Sequence, residues 1–223
     1  MKALKASLVL LGGLAAGAGA LAAGGHHAVD DAAILDAGQC ELESWLASAR
    51  GRALLLHAGA GCRTGPVELG LAGQAERQGG AAQSGYGLSA KWAGAVSDSI
   101  SLGASFEPAW QAHVRPRYQG VSVAALATWT PRDDLALHLN LGRDLVHRGR
   151  DAARHGLAAE WVAGAGWSFV LERYLEAGSH FARAGARLTG GKAWSLDFSR
   201  SQRLQGPGAS AWTVGFSWLL ERD

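Results

Sequence analysis

The chain reads as an all-β protein, an antiparallel up-and-down transmembrane β-barrel of about twelve strands. Three observations predict it: period-two alternation of apolar and small or polar residues, punctuation by short turn-forming stretches, and tryptophans gathered near one set of strand ends. The alternation is seen in Leu135, Leu137, Leu139 and Leu141, which interleave with Ala136, His138, Asn140 and Gly142. Trp212, Val214, Phe216 and Trp218 do the same with Thr213, Gly215 and Ser217. Successive side chains on a strand face opposite ways, so such a segment has one apolar and one wet face.

Segments of this kind run over residues 39–48, 52–62, 66–77, 84–94, 98–108, 119–130, 134–144, 155–164, 166–176, 180–189, 192–202 and 210–220. Most are close to the ~9–11 residues of a tilted membrane strand. An even count returns both chain ends to the same side, the periplasmic one in bacterial barrels. The connections on that side fall at 63–66, 94–97, 131–133, 164–166 and 189–191, short and rich in turn-forming residues. Those on the other side, 78–83, 109–118, 145–154, 178–179 and 204–209, include longer ones. Trp92, Trp129, Trp161, Trp167, Trp194 and Trp218 then share the periplasmic rim on the apolar parity, as an aromatic girdle would. Tryptophans filling a soluble core have no reason to gather there.

The opposite parity carries Glu68, Glu76, Lys91, Glu107, His138, Glu160, Glu172, Arg183, Arg187 and Asp197. A dry core would not tolerate that many ionisable groups, so they are expected to line a wet lumen. That lining leans acidic and would favour cations or uncharged solutes. A lumen filled by paired charges is the alternative.

The first residues look like a secretory leader. Lys2 and Lys5 precede an Ala/Gly/Leu-rich stretch with small-x-small cleavage sites ending at Ala20 and Ala22. The expected organisation is a signal peptide over 1–22, a periplasmic N-terminal segment over 23–38 and an outer-membrane barrel over 39–223. The 21 basic and 19 acidic residues differ by the two leader lysines, so the mature chain has no basic excess and does not read as a nucleic-acid binder. Cys40 and Cys62 lie symmetrically about Gly51, which suits a cross-strand disulfide after export.

His26 and His27 with Asp30 and Asp31 are transition-metal ligand types. They read here as a polar start to the mature chain, and no metal or other cofactor is expected. Arg115, Arg117, Arg148 and Arg150 lie in outward loops, where guanidinium forks suit lipopolysaccharide phosphates. No Gly-x-Ser-x-Gly, His-Glu-x-x-His or phosphate-cradling glycine loop occurs, and the chain does not read as an enzyme. A lipid-modifying enzyme is the third reading, behind a passive channel and a structural or surface-interaction barrel.

Residues 30–45 open with an acidic segment leading into Gly38-Gln39-Cys40-Glu41-Leu42-Glu43. This entry to the first strand resembles the outer-membrane barrels of the MetA-pathway phenol-degradation family. The resemblance implies an outer-membrane location and passage of small solutes, aromatic ones among them. The chain is shorter than is usual there, and its cysteine pair is not part of that pattern.

Overall fold

A computed structural model describes residues 26–49, 53–191 and 193–221. The leader over 1–22 and the first turn around Gly51 therefore lie outside the described residues. Twelve antiparallel strands form one closed sheet: β1 (Gln39–Ala49), β2 (Ala53–Thr64), β3 (Val67–Gln78), β4 (Ala81–Ala95), β5 (Ile100–Gln111), β6 (Tyr118–Arg132), β7 (Leu135–Val146), β8 (Ala152–Gly164), β9 (Trp167–Glu176), β10 (Ser179–Gly190), β11 (Trp194–Gln205) and β12 (Ala211–Glu221). Each pairs with its sequence neighbours, and β1 pairs with β12 from Gln39↔Glu221 to Ala49↔Ala211. Closure leaves no open edge, so every strand's ladder is satisfied within the chain.

The alternation sorts the two faces. Leu, Trp, Phe and Val at the apolar parity are exposed around the outer wall, with Leu141 at 59 % and Leu171 at 64 %. The intervening positions of β7–β12 are buried, among them His138, Asn140, Glu160, Glu172, Asp197, Ser199, Thr213 and Ser217. The fold is thus apolar outside and polar inside, the reverse of a soluble barrel.

Trp92, Trp129, Trp161, Trp167, Trp194 and Trp218 are all exposed and sit at one end. Trp92 pairs with Val67, Trp129 with Ile100, Trp161 with Leu135, and Trp194 with Trp218. Trp161 donates its indole N–H to Asp134 in the adjoining turn (3.2 Å) while its ring stays on the outer wall. The start of β1 and the end of β12 share this end.

At the far end the strands run longer than the sequence suggests. Residues 78–83 close as a tight turn at Gly79 and Gly80, both at positive φ, and Gln78 pairs with Ala81. Two consecutive left-handed residues suit a two-residue hairpin, and glycine takes that conformation without Cβ strain. Likewise the connection after β5 shrinks to 112–117, which brings Trp110 into the strand. Trp110 stacks on Tyr86 (5.7 Å between centroids) and packs against Tyr118 (5.9 Å), forming an aromatic patch at this rim.

Cys40 and Cys62 face each other across β1 and β2 and form a disulfide, as their symmetric placement suggests. Leu42 and Leu56 are exposed on the same parity, so the bridge lies on the outer wall near the tryptophan end.

Candidate functional site: the lumen and the segment threaded through it

Residues 26–36, expected outside the barrel, run through its interior. The segment starts deep against β10–β12, crosses the lumen, and returns at Asp36, whose carbonyl accepts from Gln39 N–H as β1 begins (3.0 Å). It has no repeating structure of its own, so its backbone groups must be satisfied by the wall. The Leu35 N–H donates to Glu68 on β3 (3.0 Å), and Arg63 donates to the Leu35 carbonyl (3.0 Å). The Ala32 N–H donates to Thr128 on β6 (2.8 Å), and the Val29 N–H to Glu172 on β9 (3.1 Å). With its amide oriented to satisfy both groups, Asn140 on β7 bridges the Asp30 N–H and carbonyl.

Side chains complete the fit. Val29 is fully buried against Ala158, Val170, Tyr174 and Phe181, the apolar cluster of the interior. Gly156 makes room for it, since a Cβ there would lie 2.4 Å from Val29 Cγ2. Lys91 on β4 binds Asp30 (2.9 Å) and Asp31 (2.8 Å) together.

His26 and His27 stack on each other, with ring centroids 4.5 Å apart. His26 Nε2 meets Ser199 Oγ at 2.7 Å, and Arg183 donates to the His26 carbonyl. His27 sits between Glu172 (3.5 Å) and Asp197 (3.8 Å). Arg187 holds Asp197 at 2.8 Å, and Arg183 reaches Glu172 at 3.3 Å. Burial, with His27 and Arg183 beside it, pushes His26 down to about 3 and keeps it neutral near pH 7. Burial also pulls His27 down, but the Asp197 and Glu172 carboxylates outweigh it and hold this imidazole above its ordinary value.

The segment divides the inward-facing ionisable residues. Glu68, Lys91, Glu172, Arg183 and Asp197 touch it directly. His138 lies within 3.8 Å of Glu160 and 2.9 Å of Thr128, the hydroxyl that receives Ala32. Thr128, His138 and Glu160 superficially resemble a hydroxyl–imidazole–carboxylate relay, but the hydroxyl is already engaged by the segment.

The wall of β3–β5 is different. Gln74, Glu76, Ser89 and Glu107 lie on the inward parity and are exposed to water. No ion pair engages Glu76 or Glu107 among the described residues. Glu43 pairs with His57 (3.2 Å), whose ring stacks on Trp45 (4.8 Å between centroids). Small residues, Gly70, Ala72, Gly87 and Ser105, fill the positions between. The lumen is therefore packed on the β7–β12 side and wet on the β3–β5 side.

Arg115, Arg117, Arg148 and Arg150 are exposed in the far-end loops 112–117 and 147–151. Arg154 is engaged by Asp144 (2.9 Å) and Glu176 (3.1 Å) instead.

The sequence reading did not anticipate the segment, nor that Thr128, Asn140, Tyr174 and Ser199 receive it. Residues 26–31 place two imidazoles, a valine and two carboxylates in a row. Their complementarity to Lys91, Glu172 and Asp197 was the available signal.

Residues 10–218 match the family described as uncharacterised conserved protein UCP029691. The chain belongs to this family. No curated protein matches the sequence. Among solved structures, the barrel is similar to the KdgM porin at 11 % identity and a TM-score of 0.61, covering 80 % of this chain and 98 % of that one. The NanC porin gives 8 % identity, a TM-score of 0.59 and the same coverages. The CymD monoaromatic hydrocarbon channel gives 10 % identity and a TM-score of 0.54, with 84 % and 89 % covered. At such identities the likeness is one of fold. The family match does not extend the resemblance to phenol-degradation barrels beyond the motif at residues 38–43.

Proposed function

We propose that this UCP029691-family barrel is an outer-membrane channel for small solutes, with residues 26–36 seated as an internal constriction. The observation that carries the reading is the asymmetry of the lumen: one wall is sealed by the segment, while Gln74, Glu76, Ser89 and Glu107 opposite it meet water. The apolar outer wall and the tryptophan end, with Trp161 donating to Asp134, suit a bilayer and its interface. The fold shared with the KdgM and NanC porins supports the same reading. The tryptophan end then faces the periplasm. Arg115, Arg117, Arg148 and Arg150 crown the outer side, where phosphorylated lipid headgroups would meet them.

The charge balance gives the channel a preference. Asp30 and Asp31 neutralise Lys91, and Arg183 and Arg187 are occupied by Glu172 and Asp197. Glu76 and Glu107 are left facing the water. Cations and uncharged solutes are favoured over anions. In a planar bilayer under a salt gradient, the expected reversal potential is cation-favouring. Glu76→Gln with Glu107→Gln moves it toward zero. An anion-favouring potential in the native protein, or one the double variant does not move, contradicts the assignment of this wall.

A second reading, a structural barrel with a closed lumen, is favoured by the extent of burial around the segment. Absence of conductance from both the native protein and one lacking the segment would select it.

A further inference from the structure

His26 and His27 from the threaded segment and Asp197 from β11 come together inside the barrel. Each offers one ligand atom, and the three lie within 4.8 Å of one another. From these residues we infer a binding site for a zinc-class divalent transition-metal ion, one that pins the segment to the lumen wall. Ligand atoms around a tetrahedral ion at bond lengths of about 2.1 Å are roughly 3.4 Å apart. Closing that gap requires the two imidazoles and the carboxylate to turn toward the ion.

Two further features bear on the site. His27 turns Nε2 toward Asp197 (3.8 Å), while its buried Nδ1 stands 3.5 Å from Glu172 Oε1, so a second carboxylate lies behind the ligand ring and can orient it. The wall beneath the rings is left bare, which gives them room. A Cβ on Gly185 would stand 3.3 Å from His27 Cε1, and one on Gly215 would stand 3.1 Å from His26 Nδ1.

Asp197 is paired with Arg187 and Glu172 with Arg183. Binding of the ion requires a neutral His27, so it releases any proton that imidazole carries. Arg187, at 2.8 Å from Asp197 Oδ1, then acts as the outer partner that orients the ligating carboxylate. Mixed imidazole and carboxylate donors suit zinc, nickel or copper better than calcium or magnesium.

The ion-binding claim stands on this geometry alone. Its consequence for conduction rests on the channel reading. The test uses the mature barrel purified without a histidine tag, with Zn²⁺ added in detergent and followed by calorimetry. Co²⁺ serves as a visible-absorbing probe of ligand geometry. One ion per barrel is expected. His26→Ala with His27→Ala should weaken binding roughly tenfold or more, while Asp30→Asn with Asp31→Asn leaves it near the native value. Heat-modifiable migration on gels checks that each variant is folded, since the barrel ladders do not use the segment. No bound ion, or unchanged affinity in the folded double-histidine variant, overturns the site. In bilayers, Zn²⁺ should lower the conductance of the native protein and leave the double-histidine variant unaffected. Binding without that change overturns the pinning role. Binding to a barrel that conducts in no form upholds the site and defeats the channel reading instead.

Discussion

Deleting residues 26–36 should raise single-channel conductance several-fold over the native protein. The segment occupies the lumen from the β10–β12 wall to the start of β1, and its removal opens that volume to water. Barrel closure does not depend on it: β1 pairs with β12 along its whole length, and the Cys40–Cys62 bridge lies on the outer wall. The shortened chain should therefore still assemble and migrate as a folded barrel. Its selectivity should change too, because Lys91 loses both aspartates and becomes a free lumen cation. The cation preference weakens as the conductance grows. Planar-bilayer recordings of the two proteins under the same salt gradient check both effects. Equal conductance would mean that the segment does not lie in the conducting path.

Leu139→Arg should destabilise the barrel in a bilayer by about 2–4 kcal/mol, the cost of a basic residue at the midplane of a lipid-facing wall. Leu139 lies between the tryptophan rim and the exposed Arg143 on β7, pairs with Ala127 and Leu157, and is exposed outward. In water such a substitution on an exposed leucine would be almost free. The size of the loss therefore reports what surrounds the wall. Ser89→Arg provides the contrast, because Ser89 faces the wet side of the lumen and the added charge stays hydrated. Denaturant unfolding in phospholipid vesicles measures both. A Leu139→Arg loss close to that of Ser89→Arg would contradict a lipid-facing outer wall.

The barrel was legible because its physics is local. Strand parity forces Leu135, Leu137, Leu139 and Leu141 onto one face and His138 and Asn140 onto the other, whatever lies elsewhere in the chain. The tryptophan positions follow once the strands are counted. Connections were harder to read where polar strand ends blur the alternation. Residues 81–83 are Ala-Ala-Gln and look like loop, yet the turn at Gly79 and Gly80 lets pairing continue through them. Trp110 was hidden in the same way by its polar neighbours near the far rim.

The threaded segment was not legible because nothing local specifies it. Residues 26–36 carry neither a period of two nor one of 3.6, and their conformation is set by partners far along the chain. His26 meets Ser199, Val29 meets Glu172, and Asp31 meets Lys91. Each contact satisfies a charge or backbone group that would otherwise be stranded in the lumen. The alternation assigns the wall residues an inward parity and an ionisable chemistry. Which of them would be buried and which would remain wet depended on where the segment lay.

Thiol labelling tests the central claim, a lumen packed on one side and wet on the other, most directly. The native cysteines are joined in a disulfide, so a single introduced cysteine reports alone. Ser199→Cys lies beneath His26 and is buried, whereas Ser89→Cys lies on the open wall of β4. A small water-soluble maleimide applied to the barrel in lipid vesicles should label Ser89→Cys quickly and leave Ser199→Cys protected. Removing residues 26–36 should expose Ser199→Cys to the same reagent. Equal labelling of the two positions while the segment is present would contradict the account.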